Sequence, residues 1–144
     1  MKTLAVDPGA SGAFVWNDDE GIVHTEKIPD GMTAICDWVR DHLGKIDRAV
    51  VENVGGYRSG NSGPSSVKFA RHVGNLEAAL YMAGIPTVKV APQTWMKALG
   101  TWPKDKAERK RAIKESMARL YPHLSVTLSN ADALGILTWA TINR

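Results

Sequence analysis

Apolar positions follow two rhythms along the chain, and each change of rhythm falls at a glycine, a proline or an Asn/Asp cluster. Lys2 to Asp7 is a β-prone run ending in the turn signal Asp7-Pro8-Gly9, and Ala13 to Trp16 is reached from it through Gly9-Ala10-Ser11-Gly12. These two runs predict a hairpin. Asn17-Asp18-Asp19-Glu20-Gly21 makes a second turn, and Ile22 to Ile28 adds a third strand, so the sheet opens as an antiparallel meander. From Met32 the period lengthens to Met32, Ile35, Val39 and His42-Leu43, which predicts a helix ended by Gly44; Arg48 to Val54 then returns to a short apolar strand.

Gly55 to Pro64 is a glycine- and serine-rich loop. Ser65 or Ser66 can cap the helix that follows, with apolar positions at Val67, Ala70, Val73, Leu76, Leu80 and Ala83, stopped by Gly84 and Pro86. Thr87 to Val90 predicts a fifth strand, Gln93 to Leu99 a short helix, and Asp105 to Leu120 a longer one in which Asp105 and Glu108 have capping-box spacing. Asn130 to Asn143 is apolar nearly all round, as expected of a helix buried against the sheet. The order is βββαβαβααα, with no internal repeat.

A length of 144 residues predicts one domain spanning 1–144, and 44% hydrophobic with 23% charged residues is the composition of a soluble globular protein. No apolar run approaches the ~20 residues of a membrane span, and the N-terminus reaches Asp7 before a signal-like apolar region forms, so a cytoplasmic protein without membrane contact is expected. Cys36 is the sole cysteine, which excludes an intrachain disulfide and a thiolate metal cage; among Met32, Ile35 and Val39 it reads as a small buried residue. The net charge of +3 is mild, but its distribution is not. Lys97, Lys104, Lys106, Arg109, Lys110, Arg111, Lys114 and Arg119 face only three acids in the same segment, giving it +5 and the remaining chain −2. One basic segment on a neutral-to-acidic body is the layout of a protein that grips phosphates with one surface, or of a solvated helix face.

Three acids differ from the rest in being delivered by core elements. Asp7 follows Leu4-Ala5-Val6, Glu52 follows Ala49-Val50-Val51, and Asp132 opens the last apolar helix. A half-buried carboxylate is costly unless paired, neutralised or bound to metal, and no base adjoins Asp7 or Asp132 in sequence. Hard cations such as Mg²⁺ take oxygen ligands, and two strand ends with a helix start can hold two of them. Each acid also has a plain structural reading: a turn former at Asp7, a strand-end surface acid at Glu52, and a first-turn acid matched to the helix dipole at Asp132. Other chemistries lack their patterns. Gly9-Ala10-Ser11-Gly12 has neither dinucleotide nor P-loop spacing, Ser62 is not in a nucleophile elbow, and the four histidines show no ligand spacing.

Five segments together resemble the RuvC-type Holliday-junction resolvases, most closely their compact phage-encoded branch: Leu4-Ala5-Val6-Asp7-Pro8-Gly9; Val50-Val51-Glu52-Asn53-Val54; Ser66-Val67-Lys68-Phe69-Ala70-Arg71-His72-Val73-Gly74; Val90-Ala91-Pro92-Gln93-Thr94-Trp95-Met96-Lys97; and Asn130-Ala131-Asp132-Ala133-Leu134-Gly135-Ile136. The resemblance covers nearly the whole chain in order. It implies an α/β, ribonuclease H-like fold, a five-stranded mixed sheet with three antiparallel strands followed by two parallel ones, flanked by helices. It further implies a homodimer that cuts two opposed strands of a four-way DNA junction with Mg²⁺, for which Mn²⁺ can substitute, using two ions per site when DNA is bound.

By motif, Asp7, Glu52 and Asp132 match the family's catalytic, metal-holding acids. The family commonly carries a further acid shortly before the last; here Ser129 and Asn130 stand there, as oxygen ligands or as helix caps. For DNA binding the candidates are Tyr57 and Arg58 in the glycine-rich loop, and Lys97, Lys104, Lys106, Arg109, Lys110, Arg111 and Lys114 in the basic segment, with Lys97, Lys104 or Lys110 positioned to stabilise developing charge. Cutting two strands related by a two-fold axis needs two copies, and the helix from Ser65 to Ala83 offers Phe69, Val73, Leu76 and Leu80 as the expected interface. A ribonuclease H-like nuclease for RNA or RNA:DNA hybrids and a non-catalytic junction-binding module are the alternative functions.

Overall fold

The computed structural model describes residues 1–54 and 63–144. Ten elements follow in the expected order: β1 (Thr3–Asp7), β2 (Ala13–Asn17), β3 (Val23–Lys27), α1 (Met32–Asp41), β4 (Arg48–Glu52), α2 (Gly63–Met82), β5 (Thr87–Val90), α3 (Pro92–Leu99), α4 (Lys106–Leu120) and α5 (Ala131–Ile142). They build one five-stranded sheet in the order β3-β2-β1-β4-β5. β1 pairs antiparallel with β2 and β2 with β3, whereas β1 and β4, and β4 and β5, pair in parallel.

Strand alternation divides the core in two. Leu4, Val6, Phe14, Trp16, Ala49 and Val51 point to one face, where they are buried with α1 and α2. Ala5, Ala13, Val15 and Val50 point to the other, beneath α3, α4 and α5. Because side chains alternate, Asp7 shares the face of Ala5, and Glu52 the face of Val50. Both terminal acids are therefore on the α5 side.

α5 is apolar around most of its circumference and buries Ala131, Ala133 to Leu137 and Ala140. Arg48 fixes its far end, donating from Nε to Thr3 Oγ1 at 3.0 Å and from Nη2 to the Ala140 carbonyl at 2.7 Å. The eight residues back from Ala140 to Asp132 rise about 12 Å, close to the roughly 13 Å that β1 climbs from Thr3 to Asp7. The helix thus runs against β1 and delivers Asp132 to the end of the sheet where Asp7 and Glu52 emerge. The expected cap of α4 is present: the Glu108 backbone N–H donates to Asp105 Oδ2 at 3.0 Å.

Three local expectations are corrected. Cys36 is exposed, because α1 turns Ile35, Trp38 and Val39 inward and leaves position 36 on the outer side. α2 begins at Gly63, ahead of the serines, and ends at Met82. Leu76 and Leu80 are fully buried in the chain's own core with α1, so neither is available as an interface residue. The exposed face of α2 is instead Val67, Ala70, Gly74, Ala78 and Tyr81, which recur at helical spacing; Met82 beside them and Val88 on the edge strand β5 are also exposed. Among the described residues no helix is long and apolar enough to cross a membrane.

Candidate active site

In the parallel pair, Thr3 to Val6 lie beside Arg48 to Val51 in register. One further step along that register sets Asp7 beside Glu52, at the carboxyl ends of adjacent parallel strands, where open α/β sheets place their ligands. Asp7, Glu52 and Asp132 line one cleft of about 340 Å³ together with Lys106, Arg109 and Lys110 of α4. Pro8, Ser11 and Gly12 of the β1–β2 turn line it too, as do Pro92 and Met96 of α3 and Ile113 of α4. Successive acids are 45 and 80 positions apart in the sequence, and the fold brings them into one cavity.

α4 supplies its bases by simple helical geometry. Ile113 and Met117 are its buried positions. Positions 106, 109 and 110 lie one to two turns earlier on that same face, so the inward stripe emerges from the core as a cationic rim. Arg109 is steadied by donation from Nη1 to the Lys104 carbonyl at 3.0 Å. Lys97, Lys104, Arg111 and Lys114 do not line the cleft.

The acids differ in their surroundings. Burial pushes the Asp132 carboxyl above the ordinary carboxylate range, and the positive charges of Lys110 and Arg109 pull against that shift without cancelling it. Glu52 is buried, and its Oε2 accepts a 2.7 Å hydrogen bond from the indole Nε1 of Trp95, itself fully buried on α3. Trp95 in turn lies against Gly135 of α5, where an added Cβ would fall 2.5 Å from its ring. Gly135 thus lets the ring sit between the helix carrying Asp132 and the strand carrying Glu52. Gly12 has a similar duty at the β1–β2 turn: a Cβ there would fall 1.8 Å from the Asp7 carbonyl oxygen. Sequence reasoning misses Trp95, Gly12 and Gly135 because packing partners on other elements define their roles. The one available signal is an indole within the Val90–Lys97 segment, which when buried needs an acceptor.

Ser129 and Asn130 are engaged in structure. Asn130 is buried, its Oδ1 accepting from the Thr127 N–H at 2.8 Å and its Nδ2 donating to the Ser125 carbonyl at 3.1 Å and to Thr25 Oγ1 at 3.3 Å. Of the two readings of Asn130, oxygen ligand or structural residue, these bonds favour the structural one: the side chain closes the loop before α5. Ser129 donates its hydroxyl to the Ser11 carbonyl at 2.8 Å, tying that loop to the β1–β2 turn. Tyr57 and Arg58 lie outside the described residues. Phe69 and Val73 are half-buried on α2.

Among the described residues no three His, Cys, Asp or Glu side chains form a preformed metal cage. The acids face an open cleft, and its donor chemistry suits a hard cation: three carboxylates on rigid elements, one of them disfavoured as a bare charge, with room for other oxygen ligands.

An antiparallel three-stranded meander continued by two parallel strands, with helices on both faces, is a ribonuclease H-like fold. Solved structures of RuvC share this fold. Thermus thermophilus RuvC in complex with a Holliday junction substrate superimposes with a TM-score of 0.66 at 18% identity, over 98% of this chain and 92% of that one. The structure of Thermus thermophilus RuvC matches with a TM-score of 0.63, also at 18% identity, over 99% and 97%. No protein-family model matches the chain, and no curated protein matches it significantly.

Proposed function

We propose that the chain, as one nuclease domain, is a divalent-cation-dependent, structure-selective DNA endonuclease that resolves four-way junctions by paired hydrolysis of opposed strands. The observation carrying this reading is the cleft: carboxylates from two adjacent parallel strands and one helix start meet under a cationic rim. The RuvC-type fold supports it, since one neighbour of that fold is bound to a Holliday junction substrate.

Asp7, Glu52 and Asp132 would hold Mg²⁺ or Mn²⁺, which when bound supplies Lewis-acid polarisation of the phosphate and an acidified water. The remaining chemistry belongs to the chain. Lys106, Arg109 and Lys110 meet the scissile phosphate, offset the charge of the acids and stabilise the extra charge that develops on the phosphoryl oxygens. Trp95 holds the Glu52 carboxylate in one rotamer through its 2.7 Å hydrogen bond. Asp132 accepts charge at neutral pH only at a cost from burial, so its ionised form gains most when cation and phosphate enter.

Two symmetric cuts require two copies, and the exposed α2 stripe from Val67 to Tyr81, with Gly74 at its centre permitting close helix approach, is the surface we assign to the homodimer. The test is incubation of labelled junction, linear duplex and RNA:DNA hybrid with Mg²⁺ or chelator. Paired nicks in the junction with Mg²⁺ alone support the reading. Preferential cutting of the hybrid favours a ribonuclease, and tight junction binding without cutting favours a binding module.

A further inference from the structure

A second cleft, of about 560 Å³, lies between α2, Gly9-Ala10 and Asp30-Gly31. Lys68, Arg71, His72 and Asn75 line its α2 wall, four polar side chains within two helical turns. Among the described residues neither Lys68 nor Arg71 forms an ion pair, whereas Glu77, the acid of the same helix, is taken by Lys89 at 2.6 Å. The Nε2 of His72 is buried and has no hydrogen-bond partner among the described residues. A buried nitrogen left in that state costs stability, and a bound acceptor removes the cost. Burial holds the His72 imidazole below its ordinary range despite the opposing charge of Asp30, so the ring is a neutral donor when Nε2 carries its proton.

We propose that this cleft is a second phosphate subsite, in which Lys68, Arg71, His72 Nε2 and the Asn75 amide bind a backbone phosphate of the nucleic acid whose scissile phosphate occupies the acid cleft. The inference rests on the nuclease reading above. The ligand chemistry follows from the lining: two cations and two neutral N–H donors outweigh the one carboxylate, Asp30, and suit an oxyanion with several acceptor oxygens. Location supplies the connection, since Pro8 lines the acid cleft and its chain neighbours Gly9 and Ala10 line this one. None of the four α2 residues belongs to the acid cleft or to the basic helix α4. The subsite would therefore fix the path of DNA away from the scissile bond, where backbone binding sets register and orientation without reading sequence.

The test is binding of a labelled four-way junction in chelator across a salt series, using the full chain. The double variant Lys68→Gln/Arg71→Gln should lower the slope of log affinity against log salt by roughly 0.9 for each phosphate it no longer neutralises. The charge-matched pair Arg40→Gln/Lys45→Gln, in the last turn of α1 and in the turn that follows it, should leave the slope unchanged. His72→Phe keeps a ring of similar shape and should weaken binding with no change in slope, because the missing donor is neutral. Wild-type affinity and slope in the Lys68/Arg71 double variant overturn the proposal. A parallel titration with inorganic phosphate, followed by the His72 ring resonances, separates it from its parent. Phosphate-induced shifts that vanish in the double variant, in a protein that binds no junction, keep the anion site and refute the nuclease reading; no shift and no junction binding refute both.

Discussion

The two faces of the sheet solve different problems with the same strands. On the α1–α2 face the core is closed and aromatic: Phe14 and Trp38 have ring centroids 4.5 Å apart, Trp16 meets Trp38 edge-on at 5.3 Å, and Trp38 donates its indole N–H to Glu26 Oε2 at 2.8 Å. On the α3–α5 face the same alternation runs out into carboxylates at the strand ends, and the helices above supply bases, a buried indole and a third acid. The first face uses apolar area to hold the fold. The second keeps charge where burial disfavours it, a cost to stability that fits the proposed ligand binding.

That contrast predicts opposite phenotypes. On the acid face, Asp7→Asn, Glu52→Gln and Asp132→Asn should each lower single-turnover junction cleavage by at least about a hundredfold while junction affinity holds or rises, since negative charge near phosphate is removed. Wild-type rates in any two of them would detach the cleft from the chemistry. On the aromatic face, Phe14→Ala should cost about 3–5 kcal/mol of stability, read by denaturant unfolding, with cleavage per folded molecule unchanged. Leu76→Lys, at a fully buried position, should fail to fold and not yield a soluble monomer; the proposed dimer is tested by Tyr81→Lys on the exposed stripe, which light scattering should show as a folded monomer.

Much of this architecture is legible in the chain. The elements can be read in order, and the cap at Asp105 identified, because turns and periodicity are local signals. Three acids ending or opening apolar runs suggest the grouping of Asp7, Glu52 and Asp132, and strand alternation with α5 running against β1 carries it out in space. The inward and outward faces of α1 and α2 are less legible. Cys36 lies on an apolar-looking stripe yet is exposed, and Leu76 and Leu80 fit an interface pattern yet are claimed by the chain's own core. On a helix with apolar residues on several sides, only the packed partner decides which side is inner. The role of Trp95 is hidden in the sequence for a related reason, since its link to Glu52 spans 43 residues.

Smaller effects sharpen the comparison further. Trp95→Phe removes the donor to Glu52 while keeping an aromatic ring, and a hydrogen bond to a charged group is worth about 1.5–3 kcal/mol; cleavage should fall about tenfold or more, with junction affinity unchanged. Asp132 has a folded-state carboxyl raised above its unfolded value, so folding favours its protonated form. Metal-free stability should therefore fall as pH rises from the ordinary carboxylate range through the raised value. Asp132→Asn should melt above wild type at neutral pH in chelator, and Mg²⁺ should stabilise wild type more than the variant. The weakest effect concerns Asp18, whose carboxyl is held below its usual range chiefly by the hydrogen bond with His24 at 2.8 Å. That stabilisation is present above the unfolded carboxylate range and disappears as pH falls through the lowered value; Asp18→Asn should flatten the acid limb of the melting curve slightly without touching cleavage.

The central claim is that the three acids form one cation-binding centre, and anomalous diffraction from a crystal soaked in Mn²⁺ tests it most directly. The account predicts an anomalous peak within bonding distance of carboxylate oxygens of Asp7, Glu52 and Asp132, abolished in Asp132→Asn. Mn²⁺ bound only elsewhere, with this cleft empty at a concentration that supports cleavage, would contradict it.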